Sequence, residues 1–337
     1  MLFRMKDEKA HQLEAELDKL QADGPAAWAK LPEEELFTPA GFSEERAEAT
    51  SYSNYSYWGS VVQNFLKHKA AVVCLILFLF LVIFSFIALA IGKYDYQTLV
   101  SDSSLAFQKP NSEYWFGTDN LGRDYWCQVW YATQVSIRLA LIVAVGESIL
   151  GVIIGLIWGY VRKLDRFFTE LYNICDNIPS TIILILISYV ASPSIQTLIL
   201  GMSIKGWIEM ARFIRNQILI IRDRDYNVAS RCIGTPTSRI VVRNLLPYLV
   251  SVIMLRMALT IPAAIGSEVF ITYIGLGLSV EVPSLGNLIN DGRKVMMQAG
   301  LRYQLLYPTI ILSFVTIAFY LIGNAFSDAA DPKNHLQ

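Results

Sequence analysis

Histidine is scarce in this chain: three in 337 residues, at His11, His68 and His335, all outside the long apolar runs. A proton relay built on histidine therefore has no material in the spans. Cys74, Cys127, Cys175 and Cys232 lie far apart without C-x-x-C spacing, so neither a disulfide framework nor a zinc site is implied. No stretch reads G-x-x-x-x-G-K-S/T. The segment Gly117–Asp124 (GTDNLGRD) has the spacing of a phosphate loop but not its Lys-Ser/Thr, so ATP-driven work would need another chain to hydrolyse the ATP. There is no H-E-x-x-H, no Ser/His/Asp set and no paired-carboxylate site, which argues against intramembrane hydrolysis. No basic patch with interleaved aromatics points to nucleic acid. The start is charged and no apolar run precedes residue 70, so no cleavable signal peptide is expected.

What the chain does have is apolar length. It is 54% hydrophobic and 17% charged, with the hydrophobic share in blocks, which is the composition of a membrane protein. Residues 1–60 read as an acidic cytoplasmic tail. Their first 50 positions hold 12 acids and 6 bases, and 5–23 can form an amphipathic helix ended by Gly24-Pro25. Residues 61–92 carry the first transmembrane helix, with the span itself at Ala70–Gly92, 23 residues without a charge. Residues 93–132 suit an extracellular loop. Residues 133–330 form a five-helix core, with spans at Leu139–Val161, about 170–191, about 195–216, Tyr248 to about Leu276, and Tyr303–Ser327. Residues 277–302 make a second outer loop rich in Gly and Pro, and 331–337 end inside. The result is an all-α membrane protein of six transmembrane helices with both termini cytoplasmic.

Within the core, Gly151, Gly155 and Gly159 form G-x-x-x-G-x-x-x-G, a helix-packing face. Glu147, Glu209 and Glu268 fall inside spans, where an ionised group costs roughly 2.5–3.5 kcal/mol. Glu209 has Lys205 and Arg212 on its helical face, which predicts a structural ion pair. Glu268 has no partner within a turn. It is expected to face a cavity opened by a kink at Pro262, with Ser267 and Thr272 as its companions along the pathway.

The loop 217–247 is the most informative stretch. Arg212 to Pro247 carries seven arginines against Asp223 and Asp225, which holds it on the cytoplasmic side. Tyr226–Ile233 reads as a short helix stopped by Gly234, after which Thr235 can cap a second helix with Pro236 at its first position. Such a knob, clamped between two spans, suits contact with a cytoplasmic partner. An ordinary positive-inside loop is the plain alternative.

Importers of the ATP-binding cassette class carry a Glu-Ala-Ala-x3-Gly loop ending in Leu-Pro. Val228-Ala229-Ser230, Gly234 and Leu246-Pro247 hold that spacing here. GTDNLGRD at 117–124, Ser267-Glu268 through IGLGL at 274–278, VPSLGNLINDGR at 282–293 and the run from Leu306 to Pro332 extend the match. Over roughly 60–335 the chain resembles the C-type permease subunit of bacterial oligopeptide and dipeptide importers. It departs from the pattern at Val228, where the family has Glu, at Ser230, and at Cys127-Gln128, where a Ser-Arg pair is usual.

The resemblance implies a type I importer permease fold in the bacterial plasma membrane. The partners would be a second, similar permease, two ATP-binding subunits and an extracellular peptide-binding protein. ATP and Mg would be used by the partner subunits, with no cofactor on this chain. Tyr226, Asn227, Val228, Ala229, Ser230, Arg231 and Gly234 would couple to the ATPase, Arg231 or Tyr226 standing in for the missing Glu. Gly117, Thr118, Asp119, Gly122, Arg123 and Asp124 would face the receptor. A nickel importer of the same family and a proton-coupled secondary transporter are the competing readings. A structural subunit of an export machine is opposed by the receptor-facing motif.

Overall fold

The computed structural model describes residues 57–93, 95, 103–192, 194–279 and 282–330. The tail helix expected at 5–23 and the residues after Ala330 lie outside the described residues. Contacts divide the chain into two units, Met1–Tyr55 and Ser56–Gln337, and every described residue belongs to the second.

Among the described residues the regular structure is helical, apart from one isolated bridge between Thr118 and Asp124. In chain order the helices are α1 (Tyr57–Lys67), α2 (Lys69–Ile91), α3 (Tyr125–Tyr160), α4 (Arg162–Asp176), α5 (Ser180–Val190) and α6 (Ile195–Ile221). Then come α7 (Asp225–Cys232), α8 (Thr237–Ile240), a π turn at Val241–Leu245, α9 (Leu246–Tyr273), α10 (Leu285–Val295) and α11 (Tyr303–Ala330). Four stretches are long and apolar enough to cross a membrane: α2, α3, Thr237–Tyr273 and α11. Counting α4 and α5 as one broken span gives five. The 27-residue α6 is longer than α2 but carries Lys205, Glu209, Arg212 and Arg215.

Three expectations need correction. The helix that carries the second span is not confined to Leu139–Val161. It starts at Tyr125, because the Asp124 side chain accepts from Trp126 N–H at 3.0 Å and so caps it. At 1.5 Å per residue α3 is about 54 Å long, well beyond an apolar layer of about 30 Å. The third span is not one helix. Pro179, which has no N–H to donate, separates α4 from α5, and the two are bent by 72°. The outer loop 277–302 is not all loop: Ser284 accepts from Asn287 N–H at 3.1 Å and starts α10.

α3 and α6 form the most extensive helix pair, through the predicted glycine face. A Cβ on Gly151 would come 2.5 Å from Met210, on Gly155 2.7 Å from the Ala211 carbonyl, and on Gly159 2.8 Å from Ile218. The three bare positions let the backbones approach. Gly155→Leu should therefore lower the thermal midpoint of the purified chain, through the ~1–3 kcal/mol destabilisation typical of overpacking. Gly146→Leu should not, since no atom lies within 4 Å of its added Cβ. Equal midpoints for the two variants would refute close packing on this face.

Candidate functional site

The arginine-rich end of the bundle carries a projecting helix. α7 begins one residue earlier than the spacing predicts and ends at Cys232. Gly234 has φ +82°, and its N–H donates to the Arg231 carbonyl at 3.0 Å. The Thr235 N–H reaches back to the Ser230 carbonyl at 3.0 Å, which completes a left-handed helix end. Pro236, not Thr235, is the residue preceding α8, and no side chain caps that helix.

One residue of α7 is inward and the rest face out. Asn227 is fully buried: its Nδ2 donates to the Ile221 carbonyl at 2.9 Å, and its Oδ1 accepts from Asn244 at 3.1 Å. These two bonds tie α7 to the end of α6 and to the π turn. Tyr226, Val228, Ala229, Arg231, Gly234 and Ile233 are exposed, Ile233 at 83%, and Ser230 is partly so. Ser230 is spent locally, donating to the Tyr226 carbonyl at 2.8 Å.

Asp223 collects Arg231 at 3.1 Å, Arg222 at 3.2 Å and Arg162 at 3.3 Å, while Arg222 also donates to the Gly159 carbonyl at 2.8 Å. The Arg231 bond above all, with help from Arg222 and Arg162, holds the Asp223 carboxyl below the usual carboxylate range. Of the two groups proposed to replace the absent Glu, Arg231 is therefore engaged within the chain and Tyr226 is open. The short helix thus has a fixed base and an outward apolar face.

At the opposite end the GTDNLGRD segment is a buried knot. Asp119 accepts from the N–H groups of Leu121 (2.9 Å) and Arg123 (2.8 Å), from Arg123 Nε (2.7 Å) and from Gln128 Nε2 (2.8 Å). The Thr118 hydroxyl accepts from Gln108 N–H at 2.8 Å and donates to the Leu105 carbonyl, while Gln304 of α11 donates to the Thr118 carbonyl at 2.9 Å. Gly117 has φ +75° and no room, because a Cβ there would lie 2.7 Å from the Tyr303 hydroxyl. Gly117, Thr118, Asp119, Gly122, Arg123 and Asp124, expected to face the receptor, are all buried within the chain. The outward positions are Asn120, Leu121 and Trp115.

The pathway residues separate. A cavity of about 410 Å³ lies among α3, α5, α6 and α9, and Ser267 lines it. Glu268 and Thr272 do not. Glu268 is 0% exposed, accepting from Ser284 at 2.6 Å, Thr272 at 3.3 Å and Ser136 at 3.4 Å. The expectation that it faces the cavity fails because, besides Thr272 one turn along, its partners come from α3 and the α10 cap, out of sight in sequence. The cavity instead holds Glu147, Lys205, Glu209 and Arg256, which were not proposed as pathway residues. Glu209 pairs with Lys205 at 3.9 Å and Arg256 at 3.7 Å. Its predicted partner Arg212 lies instead over the Tyr172 ring at 3.9 Å.

Residues 151–335 match the family described as binding-protein-dependent transport system inner membrane component. The chain belongs to that family. The preceding residues of this transport component, 56–110, match the N-terminal TM domain of oligopeptide transport permease C. Over 297 residues it is 39% identical to the oligopeptide transport system permease protein AmiD of Streptococcus pneumoniae, covering 87% of this chain and 94% of that protein. It is 31% identical to OppC of Bacillus subtilis, an oligopeptide transport system permease protein, over 88% of this chain and 97% of that one. It is 32% identical to the dipeptide transport system permease protein DppC of Bacillus subtilis, over 85% and 89%. This transport component is accordingly a multi-pass membrane protein whose family membership rests on the core and on its first span alike.

Proposed function

We infer that the chain is the permease subunit of an ATP-driven peptide importer, forming half of the translocation pathway. The observation that carries this is the 39% identity to a protein named as an oligopeptide transport permease across 87% of the chain. The exposed helix α7 supports it from the physical side. An apolar face held on a fixed base fits a groove in a cytoplasmic ATPase better than it fits water.

In this reading six segments span the membrane: α2, α3, the broken pair α4–α5, α6, α9 and α11. Both termini are cytoplasmic, because the seven arginines of the loop around α7 mark that side. A second permease completes the pathway, two ATP-binding subunits use ATP and Mg, and an extracellular peptide-binding protein docks outside. Tyr226, Val228, Ala229 and Ile233 present the contact face, while Asn227 and Arg231 hold α7 to the bundle. Asn120, Leu121 and Trp115 offer the outer surface, and the buried motif beneath them supplies its shape. Nucleotide binding closes the ATPase dimer and moves α7. The Asn227 and Asp223 bonds carry that displacement to α6, α3 and the π turn ahead of α9, and the bundle changes the side it opens to. The nucleotide must favour one arrangement over the other for anything to move.

Co-purification of the tagged chain, followed by reconstitution, tests this. A second permease, two ATP-binding subunits and peptide uptake that requires ATP and the binding protein are expected, with no nucleotide bound by this chain alone. Uptake driven by a proton gradient without ATP would overturn it, as would uptake of nickel in place of peptide.

A further inference from the structure

The charges around the cavity, two acids and two bases, pair unevenly. Lys205 is saturated: its ammonium donates to the Ile178 carbonyl at 2.9 Å and lies 3.9 Å from both Asp176 and Glu209. Arg256 is on Glu209 at 3.7 Å. Glu147 also lines the cavity and makes no hydrogen bond or ion pair among the described residues, though the charges of Glu209 and Arg256 both reach it. Both bases of the cavity wall thus lie on Glu209, and Glu147 is the acid left without an ion pair.

Its placement is built. The carboxylate lies against Gly206 of α6, where even a Cβ would collide with it, so the bare glycine keeps the acid in position beside the cavity. At 1.5 Å per residue, Glu147, Glu209 and Arg256 stand about 15–20 Å from the arginine-rich ends of their helices, mid-depth in an apolar layer of about 30 Å. Ser180, Thr181, Thr260 and Ser267 add hydroxyls to the same wall. An acid at mid-membrane without a cation, in a cavity large enough to admit a guest, is a site waiting for a positive group.

We propose that Glu147 receives the positively charged amino terminus of the substrate as it crosses the membrane. This rests on the reading above that the substrate is a peptide. A peptide with a free amino terminus brings an ammonium with three donors. The paired Glu209–Arg256 beside it turns no free cation toward that ammonium. Thr260 and Ser267 donate to carbonyls of their own helix, which leaves their oxygens to accept from the peptide's N–H groups.

The test uses the whole complex in proteoliposomes with its binding protein, and two tripeptides: one with a free amino terminus and its des-amino analogue. Each is supplied at concentrations that give equal occupancy of the binding protein, measured separately. Wild type should move the free-amine peptide on the order of tenfold faster than the analogue, the gain of one charge-assisted contact in transit. Glu147→Gln should bring that ratio close to one, and Glu147→Asp, which keeps the charge, should restore much of it. A wild-type ratio in Glu147→Gln overturns the proposal, and so does equal slowing of both peptides. Loss of the second permease on co-purification of Glu147→Gln would also overturn it, since Glu147 would then serve a cation of that subunit. If wild type moves neither peptide, the peptide reading itself has failed, and this proposal falls with it.

Discussion

Complexes carrying Gly234→Val are expected to assemble in the membrane in normal amount and to lose peptide uptake. Gly234 sits at φ +82° at the end of α7, and nothing lies within 4 Å of where its Cβ would be. The cost of a side chain there is therefore purely conformational. The left-handed region costs an L-residue about 1–2 kcal/mol, and β-branching worsens it. The chain can escape only by changing the backbone at 234. That gives up the Thr235-to-Ser230 and Gly234-to-Arg231 bonds and re-aims α7. The base of α7 survives, because Asn227 remains bonded to Ile221 and Asn244, so the bundle has no reason to unfold. The outward face of Tyr226, Val228 and Ile233 then presents itself at a wrong angle. Receptor-stimulated ATPase activity should fall by weaker association, or persist without uptake. Gly234→Asn, which tolerates this region far better, should keep most of the uptake. Wild-type uptake and wild-type stimulated ATPase in Gly234→Val would mean that α7 does not transmit the motion.

Local chemistry was legible in the sequence wherever one segment carried the whole signal. A run of 23 uncharged residues marks α2, the four-residue spacing of Gly151, Gly155 and Gly159 marks the face that α6 covers, and Gly234 marks the end of α7. What failed depended on partners distant along the chain. Glu268 was expected to have no partner within a turn, but Thr272 bonds it from four residues on, and Ser136 and Ser284 reach it from 132 and 16 residues away. Arg212 shares a helical face with Glu209 yet stacks on Tyr172 of α4, and Arg256 of α9 takes its place. The GTDNLGRD segment looks polar enough to be a surface loop. Its polarity is instead consumed internally, around Asp119 and against Gln304 of α11. The break before α5 and the start of α10 were not expected, because Pro179 and Ser284 lie in stretches that were read by their apolar or Gly- and Pro-rich character. Glu147 was seen as an intramembrane acid, but only the cavity and the pairing of its neighbours set it apart.

Glu268→Leu is expected to abolish stable assembly, and Glu268→Gln to preserve it. The carboxyl sits fully buried where three elements meet. It accepts from Thr272 on its own helix α9, from Ser136 of α3 and from Ser284 at the start of α10. Those hydroxyls are in turn fixed by the first turn of α10, Ser136 accepting from Leu285 N–H at 3.1 Å and Ser284 from Asn287 N–H at 3.1 Å. Gly286 has no side chain because a Cβ would stand 2.6 Å from the carboxyl oxygen. Leucine fills a similar volume and accepts nothing. Each buried group left unpaired costs about 1–3 kcal/mol, so the loss across the cluster reaches several kcal/mol, a large share of the stability of any domain. Glutamine keeps an acceptor for Ser284 and Thr272, and its amide can donate to the Ser136 oxygen, so its cost should stay near 1 kcal/mol or below. The measurement is the yield and thermal midpoint of the purified complex for both variants, with uptake expressed per assembled complex. Glu268→Gln should transport at close to the wild-type rate, because the carboxyl lies out of the cavity and acts by holding α10 to α3 and α9. Normal assembly of Glu268→Gln with lost transport would show that the charge itself works in the transport cycle. Full stability of Glu268→Leu would show that the cluster holds nothing.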